Sequence, residues 1–528
     1  MVSRRSFIKK TGLGTAGLSL FPAMSVFALH DLETGPFVLP RSTPEEQGIS
    51  STAILRFLDA VANSGQEFHS LMILRHGSVV AEGWWAPYSA EHRQQLYSAS
   101  KSFTSTAIGF AVSEGYLSVD DPVIKFFPDL LPDEISDNLA NLKVKNLLSM
   151  SVGHAKDSIL TLEASLEGIP WEKTFLSIPV DFEPGSHFLY NSGASFMLSA
   201  IVKRVTGYTA HEYLHPRLYE PLNIADATWT ENFEGINMGA SHLRMKTENL
   251  AKFGQLYLQK GKWNGKQEIS EKWVAEASSK QVENGHNDSS WGFGYGYQFW
   301  LNPPGGFRAD GAFGQFSMIF PEQDAVVAIT SESINTKTAM QMVWDILVPA
   351  MECGTLPPAV AEQKQLMTNL EELKYIPPQM NRSSNVAARI SGREFILNDN
   401  PFRAKSVSFE FNGDTCLFRL KEDGKPDIKI THGINSWIRE GNYKPRPHSL
   451  FSLRRIDFDS IVAASATWKD ENTLVLTWRH IETVHSDSLT CVFDNEKVNI
   501  SFLFSVAQLR NEKDDREPVT GEIKYPDN

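Results

Sequence analysis

Strand-like segments stand at both ends of a long helical region, and this order restricts the folds open to the chain. Two strands are predicted within SLMILRHGSVVAEGWW, residues 70–85, because apolar runs flank a polar turn. Two more are predicted in FGQFSMIF, residues 313–320, and in DAVVAITS, residues 324–331. Helical patterns dominate from residue 98 to about 280. We therefore predict an α+β domain over residues 35–355, in which helices flank one antiparallel sheet built from its first and last segments.

The pattern changes beyond this region and predicts a second domain. Residues 356–390 are rich in proline, glutamate and glutamine, which is typical of a linker. Residues 391–515 contain alternating apolar and polar positions, separated by turn signals such as Asn412-Gly413. One strand face in VNISFLFS carries four apolar side chains, Val498, Ile500, Phe502 and Phe504. These features predict a C-terminal all-β domain, and 528 residues are also too many for a single core.

The amino-terminal residues resemble a twin-arginine export signal. Arg4 and Arg5 precede a modest apolar stretch that is interrupted by glycines and ends in small residues. The stretch is too short and too rich in glycine to span a bilayer, so a membrane anchor is the less favoured alternative and no stable membrane insertion is expected. The resemblance implies a signal peptide over residues 1–28 and a periplasmic or secreted protein.

Net charge and cysteine spacing argue against two classes of ligand. The formal charge of -13 does not suit a nucleic-acid partner, which requires a dense cationic surface. Cys353, Cys416 and Cys491 lie too far apart for a metal-binding spacing or a disulfide framework. Cys416 and Cys491 lie in strand-like runs. We expect two buried thiols there, and a single bridge between them is the less favoured alternative.

The segment LYSASKSFTS, residues 96–105, clusters small hydroxyl side chains around a lysine. Ser98 and Lys101 are three residues apart, so on a helix they share one face. Burial among small residues lowers the pKa of a lysine and allows its neutral amine to accept a proton from a serine hydroxyl. The first turn of a helix also stabilises negative charge. We therefore predict that Ser98 is a nucleophile and that Lys101 is part of its base.

The spacing alone is weak evidence, but it occurs in the first of four segments that together resemble one family. In chain order the segments are LYSASKSFTSTAIGFAVSEGYLSVDDPV, VKNLLSMSVGH, FEPGSHFLYNSGASFMLSAIVKRVTGY and ADGAFGQFSMIFPEQDAVV. They resemble the serine β-lactamase-related family, which includes class C β-lactamases, DD-peptidases, esterases and 6-aminohexanoate-dimer hydrolases. The resemblance covers residues 40–350 and implies a β-lactamase/transpeptidase-like fold. The C-terminal domain is similar to the lipocalin-like domains often fused to this family.

The resemblance also implies roles for individual residues. Ser98 becomes the acylated residue and Lys101 its partner. Tyr190, in the motif YNS, stands where the family has a tyrosine whose hydroxyl or phenolate shuttles protons. The third position of that motif is usually asparagine, whereas here it is Ser192, as in the members that resemble amide-dimer hydrolases and esterases. This difference weakens a β-lactamase assignment.

The family has a third sequence motif, Lys-Thr-Gly or His-x-Gly, on a strand that lies beside the nucleophilic serine. We align Ala312, Phe313 and Gly314 with it, followed by Gln315. Position 312 then lacks the cation that holds the carboxylate of a β-lactam or a peptide. Backbone donors do not depend on the side chain, so the resemblance implies an oxyanion hole formed by the N–H groups of Gln315 and Ser98.

These features predict a serine hydrolase that cleaves a small-molecule ester or amide through a Ser98 acyl-enzyme, with no metal and no cofactor. A D-aminopeptidase or DD-carboxypeptidase is the second choice, and a β-lactamase is the third. Two other classes stay open. His211 and His215 in HEYLH match the H-E-x-x-H motif of a zinc peptidase, although Pro216 follows directly. The second open class is a non-catalytic binding protein.

Overall fold

A computed structural model describes most of the chain. The described residues are 38–166, 168–285, 290–303, 305–443 and 460–524. The export signal predicted at residues 1–28 lies outside them. Within these ranges every helix is too short or too polar to cross a bilayer.

The described part of the first domain contains a six-stranded sheet and two smaller sheets. Its strands are, in chain order, β1 (Phe68–Arg75), β2 (Ser78–Trp84), β3 (Gln94–Gln95), β4 (Thr228–Trp229), β5 (Leu243–Met245), β6 (Lys262–Trp263), β7 (Lys266–Gln267), β8 (Trp300–Asn302), β9 (Gly306–Gly311), β10 (Gln315–Phe320) and β11 (Ala325–Ser331). In the described residues, the two smaller sheets are β3-β5-β4 and β6-β7, and the six-stranded antiparallel sheet has the order β2-β1-β11-β10-β9-β8. Met72 of β1 lies opposite Ala328 of β11, so the first and last segments of the domain meet inside the sheet. The predicted α+β arrangement is confirmed.

Helices cover both faces of this sheet. They are, in chain order, α1 (Ser51–Asn63), α2 (Ser100–Ser113), α3 (Asp137–Asn141), α4 (Val144–Leu148), α5 (Ile159–Glu163), α6 (Trp171–Ser177), α7 (Ser192–Thr206), α8 (Ala210–Leu214), α9 (Thr247–Leu258), α10 (Glu271–Ala277) and α11 (Thr336–Met342). Alternate side chains of a strand point to opposite faces. Leu71 and Ile73 of β1 therefore face α1 and α11, whereas Met72 and Leu74 face the core that contains α2 and α9.

The small residues of α2 allow it to lie at the centre of the domain. Its residues from Ser100 to Ala111 are all buried. A Cβ atom on Gly109 would lie 2.5 Å from the indole ring of Trp273, so only glycine permits this approach. Phe103 stacks on Phe253 of α9 with ring centroids 3.9 Å apart. The buried helix that the sequence predicts after Ser98 is present.

The segment 356–390 differs from the predicted linker because it contains packed helices. Helix α12 (Val360–Glu371) lies against α1 and β2. Its Leu366 is buried, and a Cβ atom on Gly83 of β2 would lie 2.7 Å from the side chain of Leu373, just beyond α12. Glu362, Gln365 and Glu371 of α12 are exposed on the outer face of an amphipathic helix, which explains why the composition is typical of a linker.

The C-terminal domain is a β-barrel. It contains α13 (Asn385–Ile390) and α14 (Ser505–Arg510), and its strands are β12 (Glu394–Leu397), β13 (Ala404–Asn412), β14 (Thr415–Glu422), β15 (Ile428–Ile434), β16 (Ile438–Tyr443), β17 (Ser460–Asp470), β18 (Thr473–His480), β19 (Ser486–Asp494), β20 (Lys497–Phe504) and β21 (Val519–Ile523). Neighbours are antiparallel in the order β15-β14-β13-β12-β21-β20-β19-β18-β17-β16. A parallel pairing of β15 with β17 closes a ring of nine strands in the described residues, with β16 outside it.

The barrel core consists of the inward-facing residues of these strands. On β20, Val498, Ile500 and Phe502 are buried and alternate with exposed positions, as the sequence pattern predicts. Cys416 and Cys491 are both buried and unbonded, so the expectation of two buried thiols is confirmed. The predicted all-β domain is therefore present as a closed barrel.

The packing of α12 generates a prediction about stability. We expect Leu366→Ala to lower the free energy of unfolding by about 2–5 kcal/mol, because Leu366 is only 2% exposed and its truncation leaves a cavity. Val360→Ala in the same helix is the control, since Val360 is 72% exposed. Urea unfolding followed by far-UV circular dichroism measures both. Equal midpoints for the two variants would show that α12 does not contribute to the core.

Candidate active site

Ser98 lies in a short 3-10 turn, Tyr97–Ala99, which leads directly into α2. We call this segment the Ser98 turn. The backbone N–H of Ala99 donates to the carbonyl of Leu96 at 3.1 Å, and the N–H of Leu96 donates to the carbonyl of Leu243 at 2.8 Å. These bonds attach the turn to β5. Ser98 is half-buried, at the position where the backbone enters the central helix.

Lys101 lies one turn along α2 and reaches Ser98. Its Nζ atom is 3.1 Å from Ser98 Oγ, 3.0 Å from the carbonyl oxygen of Ala240 and 3.4 Å from Ser192 Oγ. The side chain is only 1% exposed. A neutral amine has two N–H donors and one lone pair. Because a carbonyl oxygen only accepts, Ala240 takes one N–H and Ser192 Oγ takes the other, which leaves the lone pair for the hydroxyl proton of Ser98.

The environment of Lys101 favours this neutral amine. All three hydrogen-bond partners that the described residues provide are uncharged. Burial lowers the pKa of Lys101 from 10.5 to about 7, although the negative charge of Asp157 partly opposes this shift. Removal of a charged group from water disfavours its charged form, and the described residues provide no ion-pair partner that would compensate. Lys101 can therefore accept a proton near neutral pH.

Tyr190 lies over the same amine. Lys101 Nζ is 4.8 Å from the centroid of the tyrosine ring, and the hydroxyl of Tyr190 interacts with the Ser98 side chain. The ring stacks on Trp300 with centroids 5.5 Å apart, which fixes its orientation. Burial raises the pKa of Tyr190 far above its ordinary value, and the contact with Ser98 only partly opposes this. Of the two forms implied by the sequence, the structure therefore favours the hydroxyl over the phenolate.

Asp157 belongs to this environment and was not among the residues singled out from the sequence. Its Oδ1 accepts hydrogen bonds from the backbone N–H groups of Ser192 at 2.8 Å, Gly193 at 3.4 Å and Ile159 at 3.0 Å. It thereby attaches the start of α7 to the start of α5 and places Ser192 beside Lys101. Asp157 and Ser158 directly precede the run ILTL, and such a pair is a signal for a helix start that could have identified this aspartate.

Gly311, at the end of β9, is the glycine that approaches the Ser98 turn most closely. A Cβ atom built on it would collide with the carbonyl oxygen of Leu96 and would lie 3.2 Å from the backbone nitrogen of Ala99. The predicted Gly314 instead lies in the hairpin turn between β9 and β10, where its missing side chain makes room for Ser331 Oγ. The glycine that the family element requires beside the nucleophile is therefore Gly311, three residues before the predicted one.

Gln315 is the first residue of β10 and pairs with Gly311. Its buried side chain donates to the carbonyl oxygens of Ser331 at 2.6 Å and Ala312 at 3.1 Å, and these bonds stabilise the hairpin. The role of its backbone N–H in an oxyanion hole stays a prediction. The approach of Gly311 makes the N–H of Ala312 a second candidate for the same role.

Arg308 is a cation on β9, but all the nitrogens of its guanidinium group already donate hydrogen bonds within the domain. Its Nε donates to Asp310 at 2.8 Å, and its terminal nitrogens donate to Asn302 at 2.6 Å and to the carbonyls of Leu301 at 3.1 Å and Ser290 at 3.2 Å. The side chain is completely buried. The re-assigned element is Ala309-Asp310-Gly311, and Arg308 is a structural cation that cannot replace the lysine missing from position 309.

The HEYLH segment forms most of α8 and the first residue of the π-helical turn that follows it. Glu212 accepts a hydrogen bond from the backbone N–H of Thr209 at 2.9 Å and serves as the capping box of α8, so it is not placed as a catalytic base. His215 begins a π-helical turn at Pro216 and contacts Glu220. No group of three or more histidine, cysteine, aspartate or glutamate side chains in the described ranges has the geometry of a metal site. The zinc-peptidase alternative therefore has no support in this segment.

The arrangement around Ser98 can perform acyl transfer. A hydroxyl nucleophile, an amine with a free lone pair and a protonated phenol lie together at the entrance of a helix. The amine can remove the hydroxyl proton, and the phenol can supply a proton to a leaving group.

Two proteins with related sequences are hydrolases by name. A 6-aminohexanoate-dimer hydrolase of Paenarthrobacter ureafaciens is 25% identical over 279 residues, which are 49% of this chain and 71% of that protein. Lovastatin esterase of Penicillium rubens is 29% identical over 153 residues, but these cover only 25% of this chain and 38% of the esterase. The octameric penicillin-binding protein homologue from Pyrococcus abyssi superimposes with a TM-score of 0.47 and 16% identity, over 89% of this chain and 99% of that one.

A sequence model of one family matches the first domain. The family is described as beta-lactamase, and the match extends over residues 62–345, which is more than half of the chain. It includes Ser98, Lys101 and Tyr190. This chain belongs to the beta-lactamase family.

Proposed function

We propose that the protein is a serine hydrolase that cleaves an ester or a small amide bond through an acyl-enzyme on Ser98. One observation carries this proposal. The buried amine of Lys101 lies 3.1 Å from Ser98 Oγ, and its pKa is lowered to about 7. A non-catalytic binding protein would have no need to keep a lysine out of water beside a serine, because the burial of an amine costs free energy.

Acylation begins when Ser98 Oγ attacks the carbonyl carbon of the substrate and its proton passes to the lone pair of Lys101 Nζ. The backbone N–H of Ser98, together with that of Gln315 or Ala312, stabilises the negative charge on the substrate oxygen. The tetrahedral intermediate then expels an alcohol or an amine. The Tyr190 hydroxyl protonates this leaving group and regains its proton from the ammonium of Lys101. The acyl group remains on Ser98.

Deacylation follows the same steps with water in place of the serine hydroxyl. A water molecule gives a proton to Lys101 as it attacks the acyl carbonyl, and the collapse of the second intermediate returns the proton to Ser98 Oγ. The product acid leaves and the enzyme regains its initial protonation state. These steps use only side chains and backbone groups of the chain.

The site favours an uncharged acyl group over one that carries a carboxylate. With Gly311 as the glycine of the family element, Ala309 occupies the position of the family's cation, and Arg308 is buried in bonds to its own domain. Neither can hold the carboxylate of a β-lactam or a peptide. Two of the relatives, a 6-aminohexanoate-dimer hydrolase and lovastatin esterase, also support an ester or a small amide as substrate. D-aminopeptidase, DD-carboxypeptidase and β-lactamase activities therefore rank below it.

We also propose that residues 1–28 are a twin-arginine signal that directs the protein to the periplasm or the medium. Paired Arg4 and Arg5 before a short apolar stretch support this. Arg4→Lys with Arg5→Lys is expected to keep the protein in the cytoplasm of a bacterium with this pathway, as measured by cell fractionation. Lys9→Arg with Lys10→Arg is the control, which should export normally. Equal export of both double variants would contradict the proposal.

Covalent labelling tests the assignment of Ser98. We expect a fluorophosphonate to add one equivalent to the wild-type chain, located on Ser98 by intact-mass and peptide analysis. Ser98→Ala should lose this label and reduce kcat/KM for p-nitrophenyl butyrate by at least about 10³-fold, because the nucleophile is removed. Ser105→Ala is the matched control, since it deletes a buried hydroxyl from the same helix outside the site. A label on another residue, or full activity of Ser98→Ala, would contradict the proposal.

The pKa of Lys101 predicts how activity depends on pH. Protonated Lys101 has no lone pair, so the rate of Ser98 acylation should fall as pH decreases through about 7 and should level off above it. Stopped-flow measurement of the p-nitrophenol burst over this range checks the prediction. Lys101→Met should be slow at every pH and should lack this dependence. A wild-type rate that is constant, or that increases as pH decreases, would show that Lys101 is not the base.

A further inference from the structure

One turn of the C-terminal barrel reaches into the first domain. It joins β18 to β19, and all of its residues, 480–485, are buried. We call it the barrel turn. Its shape is held by hydrogen bonds from the backbone N–H of His480 to the carbonyl of His485 and from the N–H of His485 to Thr483 Oγ1, both at 3.0 Å. Most connecting turns lie at the surface, so a fully buried one indicates a specific contact.

The barrel turn contacts the residues that precede the nucleophile. Arg93 Nε donates to the carboxylate of Glu482 at 2.7 Å. Gln94 of β3 donates through its side-chain amide to the carbonyl of Ile481. The barrel therefore holds the segment that leads into Ser98 by one ion pair and one buried hydrogen bond.

His485 extends this contact to the Ser98 turn itself. Its Nδ1 lies 2.6 Å from Oε1 of Glu332, which directly follows β11, and its Nε2 is hydrogen-bonded to the hydroxyl of Tyr97. A carboxylate only accepts, so a neutral His485 donates from Nδ1 to Glu332 and accepts at Nε2 from Tyr97. Glu332 also accepts from the hydroxyl of Ser505 in α14. A buried polar chain thus links the barrel to the residue next to Ser98.

The conformation of Tyr97 requires support of this kind. Its φ angle is 47°, which lies in the left-handed region that a residue with a Cβ atom rarely adopts. Its ring contacts Phe313 with centroids 5.2 Å apart, and Phe313 contacts His485 at 4.9 Å. Phe313 lies in the hairpin turn after Gly311. The three rings therefore hold the nucleophile turn and this hairpin turn together.

We propose that His485, held by Glu332, is a positioning residue that the C-terminal barrel contributes to the active site, where it fixes the Ser98 turn through Tyr97 and the neighbouring hairpin through Phe313. This inference rests on the proposed function of Ser98. His485 acts through Tyr97 and Phe313, and its contribution is the orientation of the serine toward Lys101 and the backbone donors.

The polar character of this contact supports a role beyond simple docking. Apolar packing alone would attach the barrel, whereas buried polar groups lose stability unless each finds a partner in the correct geometry. Tyr97, His485, Glu332 and Ser505 satisfy one another only in one relative position. Since reaction rate depends steeply on the orientation of a nucleophile, a displacement of this chain should reduce the rate of acylation.

The test uses the full chain and two readouts, the rate constant for fluorophosphonate labelling of Ser98 and the steady-state hydrolysis of p-nitrophenyl butyrate. We expect His485→Ala to lower the labelling rate constant and kcat by about tenfold or more, with KM nearly unchanged, because binding groups are retained while the nucleophile is misplaced. Tyr97→Phe should show a loss of similar size. Circular dichroism and thermal unfolding confirm that each variant is folded.

A double-mutant cycle separates positioning from general stability. If His485 acts through Tyr97, the variant Tyr97→Phe with His485→Ala should be no slower than His485→Ala alone. His485→Gln, whose amide oxygen can accept from Tyr97, should recover part of the rate. Glu482→Gln is the matched control, since it weakens the docking of the same barrel turn and leaves the Tyr97 contact in place. Its labelling rate should stay within about twofold of wild type.

Three results would overturn the inference. One is a folded His485→Ala chain labelled at the wild-type rate. A second is additive losses in the double variant, and the third is an equal loss in Glu482→Gln, which would assign the effect to docking alone. A wild-type chain that takes no label on Ser98 would instead overturn the proposed function and, with it, the role of His485. The two failures are therefore distinguished by the wild-type measurement.

Discussion

The active site depends on one constraint, which is that the amine of Lys101 is buried without an ion-pair partner in the described residues. Lys101 is 1% exposed and bonds to one carbonyl and two hydroxyl groups. This arrangement is unfavourable for an ammonium ion, so the pKa of Lys101 is low and the neutral amine is available at the nucleophile. The buried, small-residue helix α2 keeps the amine out of water. The carboxylate of Asp157, whose charge partly opposes the shift, places Ser192 beside the amine through its bond to the Ser192 N–H.

Local pattern was sufficient to predict the features that depend on nearby residues. The spacing of Ser98 and Lys101 on a helix, and the burial of that helix, follow from a few adjacent side chains. The central sheet and the barrel follow from alternation and turn signals, because strand periodicity is also local. The resemblance to a family, carried by four segments, then identified Tyr190 and Ser192 as neighbours of the lysine. The structure places both beside its amine.

Contacts between distant segments were not predictable from pattern. Gly311 was missed because Gly314 fits the same motif, and only the three-dimensional approach of β9 to Leu96 distinguishes the two glycines. Helix α12 was missed because its exposed glutamates and glutamines dominate its composition. His485 lies 388 residues from Tyr97, and no local signal marks a histidine that reaches another domain. The chemistry of the nucleophile is therefore predictable from local pattern, whereas the contacts that support it come from tertiary structure.

The most direct measurement is the titration of Lys101 itself. The titration can be followed by nuclear magnetic resonance of protein labelled with ¹³C at the lysine ε carbons. The Lys101 signal is identified as the one that is missing from the spectrum of Lys101→Met. Because burial lowers the pKa of Lys101, we expect this signal to titrate near pH 7. A Lys101 signal that stays that of an ammonium up to the pKa of ordinary lysines, about 10.4, would contradict the claim that burial makes the amine a base.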